Sequence, residues 1–112
     1  MVTDPLFGKK KLLDLELEKD FQERVVTLLG IYGWKVYAVP DSRRVTLAGW
    51  PDLTCYHVKQ RRTMFIELKR ESGRVSVGQK IVLSELESIG HEVYLFRPSD
   101  WGRIERVAMG EI

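Results

Sequence analysis

The side chains best suited to chemistry are Asp52, which follows Gly49-Trp50-Pro51, and Glu67 and Lys69 in the run Phe65-Ile66-Glu67-Leu68-Lys69. They set two carboxylates and one ammonium on what read as adjacent strands. Leu53 to Val58 and Thr63 to Leu68 are short apolar, β-branched and aromatic runs, and the polar Lys59-Gln60-Arg61-Arg62 between them reads as a hairpin loop. In the register that puts Val58 opposite Thr63, Thr54 lies opposite Glu67 and Asp52 opposite Lys69, and the two-residue strand period keeps all three ionisable groups on one face. Paired acids in an apolar strand are costly unless their charge is compensated, and a divalent cation that prefers oxygen ligands, Mg²⁺ or Mn²⁺, compensates it well. This is the inventory for metal-dependent hydrolysis of a phosphodiester. Taken alone, a Glu-x-Lys pair on a strand is more often a solvated surface pair worth roughly 0 to 1 kcal/mol. The nearly continuous apolar run of Met64-Phe65-Ile66 and Leu68 argues instead for a central strand covered on both faces.

The elements around this hairpin follow from periodicity and end signals. Glu18 to about Tyr32 reads as a helix, with Phe21, Val25, Leu28, Leu29 and Tyr32 on one stripe and Gly33 as its stop. Glu18 falls on that stripe and Glu23 on the solvent side, so Glu18 is a candidate third carboxylate; equally, an acid in a first turn suits the helix dipole. Trp34 to Val39 reads as the first strand, and the segment from Pro40 to Gly49 as a loop. Asp41 in that loop forms a competing Pro-Asp pair, but only Asp52 opens an apolar strand. Ser76-Val77-Gly78-Gln79 has the form of a capping box opening a helix to about Ile89, with Ile81, Val82, Leu83, Leu86 and Ile89 on its core face. Gln79 is then either the cap or a side chain aimed into the site. A strand at Glu92 to Arg97 and a short helix from about Trp101 to Val107 complete the chain, after a break at Pro98-Ser99-Asp100.

With 112 residues, 44% of them hydrophobic, the chain suits one α/β domain with one core. Met1 to Lys11 reads as a loose tail, and residues 1–16 as a flexible basic segment ahead of a domain at 17–112. The formal net charge of +2 permits a polyanionic partner without demanding one. Basic residues at Arg43, Arg44, Lys59, Arg61, Arg62, Arg70 and Arg74 fall near the site or in loops expected around it, where phosphates could be contacted; each cluster alone is more often solvated surface. The lone Cys55 excludes an intramolecular disulfide and a cysteine-based zinc site, and reads as a small core residue in a reducing compartment. His57 and His91 lack a metal-ligand spacing and take no role. No stretch suits a membrane span or a signal-peptide core, so a soluble, cytoplasmic protein is expected.

The ordered set Gly49-Trp50-Pro51-Asp52-Leu53, Phe65-Ile66-Glu67-Leu68-Lys69, Gly73-Arg74, Gln79, Gly90 and Val93 closely resembles the VRR-NUC family of the PD-(D/E)xK nuclease superfamily. The resemblance runs from about Glu18 to Val107 and is to the minimal stand-alone form found in bacteriophages and prophages. It implies a restriction-endonuclease-like core, a mixed β-sheet flanked by α-helices. It further implies Asp52 and Glu67 as metal ligands completed by the main-chain carbonyl of Leu68, Lys69 as the residue that positions or polarises water, and Glu18 and Gln79 lining the site, with Glu18 a further metal ligand where a second cation is bound. Mg²⁺ or Mn²⁺ would be the cofactor, with no organic cofactor, and DNA, branched by analogy with junction resolvases, the partner. Such members are expected to be homodimers working in a bacterial or phage-infected cell. A Holliday-junction resolvase is the reading this favours, against a less selective nuclease or nickase, or a branched-DNA-binding module that does not cut.

Overall fold

A computed structural model describes residues 12–40 and 47–112. In chain order these form helix α1 (Glu18–Ile31), strands β1 (Lys35–Ala38), β2 (Leu53–His57) and β3 (Arg62–Leu68), helix α2 (Val77–Ser88), strand β4 (Glu92–Phe96), a 3₁₀ turn (Pro98–Asp100) and helix α3 (Trp101–Met109). The sheet order is β1-β2-β3-β4; β2 pairs antiparallel with both β1 and β3, and β4 pairs parallel with β3. A parallel pair needs a crossover, and α2 supplies it. The result is the mixed α/β sheet with flanking helices expected of a restriction-endonuclease-like core.

β3 is the central strand, and from Met64 to Leu68 it is buried on both faces. On one face Met64, Ile66 and Leu68 pack with Leu53, Cys55 and Phe96 against Phe21, Val25 and Leu29 of α1 and Ile104, Val107 and Ala108 of α3. Phe65 points the other way, into a smaller cluster with Val82 and Leu86 of α2, joined by Trp50 and Val93. Cys55 is buried in the main core, and desolvation pushes its thiol up to about 12. The core face of α2 is narrower than its sequence suggests: Ile81 and Ile89 are exposed, because the helix covers only part of the sheet and needs a single i, i+4 contact row.

α1 ends where Gly33 takes φ +93°, and the buried Trp34 then bonds its indole N–H to the Ala108 carbonyl at 2.9 Å, tying the helix end to α3. Residues 12–16, assigned from sequence to the flexible segment, are held to the domain: Arg70 donates to the Asp14 carbonyl at 2.9 Å, and Glu16 forms a two-point pair with Arg24 at 2.7 and 2.8 Å.

The hairpin register differs from the expected one. Leu53 pairs with Ile66 and His57 with Arg62, a slide of two residues. His57 rather than Val58 ends β2, because its Nδ1 accepts the Gln60 N–H at 3.0 Å and Arg61 takes the left-handed conformation, φ 56°. A slide of one residue would have turned the acids to opposite faces; a slide of two keeps them together.

Candidate active site

Asp52 is fixed before its side chain does anything. Pro51 ahead of it is fully buried, and Val39 donates its N–H to the Asp52 carbonyl at 2.9 Å. Gly49 has φ +87°, and a Cβ there would lie 2.7 Å from the Gly78 backbone, so only glycine lets this loop reach the first turn of α2. Trp50 packs edge-on against Phe65 with centroids 5.5 Å apart. The observed register then sets Asp52 opposite Glu67, one step past the Leu53–Ile66 pair. Leu53 and Cys55 point into the main core, so Asp52 faces the α2 side, as Glu67 and Phe65 do.

Asp52 Oδ2 accepts the Leu68 N–H at 2.8 Å, a rung that backbone would otherwise fill. Lys69 donates its N–H to Phe96 at 3.1 Å on the β4 side. The peptide joining Leu68 to Lys69 is trans, so the Leu68 carbonyl points away from β4 and toward Asp52.

Glu67 is fully buried; neither of its carboxylate oxygens meets an N–H or hydroxyl donor, and the group it meets is the Asp52 carboxyl. Desolvation, followed by the neighbouring Asp52 carboxyl, raises it to about 9, against the opposing pull of Lys69. Lys69 is nearly buried at the end of the same strand face. The Glu18 carboxyl, in the first turn of α1, is also raised: burial acts first, Lys69 opposes it, and Asp52 reinforces it. Glu67 and Glu18 therefore both feel the Lys69 ammonium and the Asp52 carboxylate. Buried carboxylate oxygens without donors are the observation a cation would explain, since two acids and a main-chain carbonyl are hard oxygen ligands. The donor set fits a divalent ion held by Asp52, Glu67 and the Leu68 carbonyl. Among the described residues no three His, Cys, Asp or Glu side chains gather closely enough to hold a metal by themselves.

The other expected site residues divide. Gln79 is occupied as the cap: its Oε1 accepts the Ser76 N–H at 2.9 Å, and its own N–H donates to Ser76 Oγ at 3.1 Å. Arg70 and Arg74 are exposed on the loop just after Lys69. Lys59, Arg61 and Arg62 do not surround the site. They lie at the opposite end of β3, roughly 20 Å away at strand rise. Arg62 is committed to Glu92 at 2.7 Å and stacks on Trp34 at 5.2 Å. Arg43, Arg44 and the competing Asp41 lie outside the described residues.

Two structural residues were not singled out from sequence. Arg97 Nη1 donates to the carbonyls of Arg70, Glu71 and Gly73 at 2.7, 3.2 and 2.8 Å, clamping the loop that leaves Lys69. His57 bridges the hairpin turn to α1 through Nε2 and the Tyr32 carbonyl at 2.7 Å. Their partners lie far away in sequence, so no local spacing signals them. Searches among curated proteins and among solved structures find no significant match. The family model of the VRR-NUC domain, in contrast, matches residues 13–100, which include every element from α1 to the 3₁₀ turn and all of Asp52, Glu67 and Lys69. By that match the chain belongs to the VRR-NUC family of nuclease domains.

Proposed function

We propose that this protein is a Mg²⁺- or Mn²⁺-dependent, structure-selective DNA endonuclease that resolves four-way junctions as a homodimer. The observation that carries the reading is Glu67, fully buried against the Asp52 carboxyl with no N–H or hydroxyl donor to its oxygens, and next to Lys69. When bound, the divalent ion supplies Lewis-acid neutralisation of the phosphate and a lowered water pKa. Asp52 and Glu67 hold it, and the Leu68 carbonyl completes the protein share of the shell. Asp52 Oδ2 is already anchored by the Leu68 N–H, so the carboxylate keeps its orientation when substrate arrives. The Lys69 ammonium offsets charge building on the non-bridging oxygens and orients the attacking water. Glu18 adds negative potential at the edge of the site and accepts from water there. Arg70 and Arg74 contact flanking phosphates.

The test incubates the purified chain with a labelled four-way junction, a flap, a linear duplex and a single strand, each with Mg²⁺, Mn²⁺ or EDTA. Paired symmetric cuts in the junction that need the metal support a resolvase. Equal cutting of every substrate reduces it to a general nuclease or nickase, and binding without cutting reduces it to a DNA-holding module.

A further inference from the structure

Among the described residues, α2 covers the sheet over β3 and β4 and leaves the β1–β2 part of that face open. There a shallow groove of about 570 Å³ is lined by Lys35, Val36, Tyr37, Trp50, Thr54 and Tyr56. The register explains the grouping, since Lys35 pairs with Tyr56 and Tyr37 with Thr54. Tyr37 and Tyr56 stand 62% and 51% exposed on either side of the small Thr54, so two aromatic rings face solvent side by side. Along β2 this face runs Tyr56, Thr54, Asp52, so the groove lies on the same side of the sheet as Asp52. At about 7 Å per two residues, Tyr56 lies about 14 Å from Asp52, a few nucleotides along a strand.

We infer that this groove is a stacking platform for unpaired nucleotides next to the scissile phosphate. The inference rests on the nuclease reading and gives it a substrate feature: bases unpaired beside the cut, which a four-way junction offers where its branch point opens. One lysine among three aromatic rings suits base faces better than a phosphate track, and bases inside a duplex are already stacked and cannot offer theirs. A second copy of the chain would need some 20 to 30 residues a side for a stable interface, far more than line this groove.

The test compares wild type, a Tyr37→Ala/Tyr56→Ala double variant and the corresponding double Phe variant. Each is titrated in EDTA with a duplex bearing a flap of about six nucleotides and with the same duplex lacking it, with 2-aminopurine at successive flap positions. Wild type and the Phe variant should prefer the flap and quench 2-aminopurine near the branch. In the Ala variant, flap affinity should fall roughly tenfold or more, the quench should vanish, and duplex affinity should change much less. Retained preference and quench in a folded Ala variant would overturn the proposal, as would conversion of a dimer into a monomer, which assigns the face to a second copy. Cutting of the flap, the duplex and a four-way junction is read separately with Mn²⁺. A wild type that quenches but never cuts refutes the nuclease reading and leaves the platform standing; one that cuts while the Ala variant quenches equally does the reverse.

Discussion

Glu67 is the residue at which folding and function pull in opposite directions. Its carboxyl rises from an ordinary value of 4.5 to about 9 because it is desolvated and faces Asp52. The folded state therefore holds a proton that the unfolded chain releases. In the metal-free protein this contribution is fully present below pH 4.5 and is lost as the pH climbs toward 9, to the extent of a few kcal/mol on the order of the usual linkage. Denaturation in EDTA should accordingly show Glu67→Gln gaining stability over wild type steadily between pH 5 and 9. Added Mn²⁺ should stabilise wild type most at the alkaline end, where no proton need be displaced, and leave the Gln variant almost unmoved. Asp52→Asn keeps an acceptor for the Leu68 N–H and should leave the melting temperature close to wild type while abolishing cutting. Asp52→Ala orphans that N–H and should cost a further ~1–3 kcal/mol by denaturant titration. Asp52, Glu67 and Lys69 were legible in the sequence because acids and a lysine stand out within apolar runs. Gln79 was legible only as a pair of alternatives, and the structure uses its Oε1 on Ser76.

Among elements, the hairpin is instructive. Its two strands could be read from composition, but not their register, which depends on His57 closing the turn onto Gln60 and on Arg62 reaching Glu92 across the sheet. The shared face of the acids survived because the slide was an even number of residues. The basic turn stands at the far end of the sheet from the site because the hairpin runs antiparallel, with Asp52 just before β2 and Lys69 just after β3. The Gly49 loop couples α2 to Asp52. Gly49→Ala must accept both a strained positive φ and a Cβ 2.7 Å from backbone, and is expected to destabilise by roughly 1–3 kcal/mol and to lower cutting beyond what stability explains. Ser76→Ala breaks the capping box and should cost about 1 kcal/mol in thermal or chemical denaturation, with the residual activity scaling with folded fraction.

At the scale of the whole molecule, the sheet order places β3 centrally and gathers Glu18, Asp52, Glu67 and Lys69 at the end where β3 gives way to the Arg97-clamped loop. The α/β class and all four strands could be anticipated, since each is a short apolar run bounded by turn signals. How α2 leaves half a sheet face open could not, because helix placement is set by packing and not by helical periodicity. No helix among the described residues is long and apolar enough to cross a membrane. A dimer that presents two such sites should cut a four-way junction twice, and sedimentation of the protein with the junction should give two chains per DNA. The most direct test of the metal-dependent nuclease site is the Mn²⁺-dependent cleavage of a labelled four-way junction by wild type beside Lys69→Ala, with the fold of both checked by circular dichroism. Cleavage by wild type that EDTA stops and the folded Lys69→Ala chain lacks is the expected result; cleavage that survives either change, or a folded wild type that cuts no DNA with either metal, would contradict it.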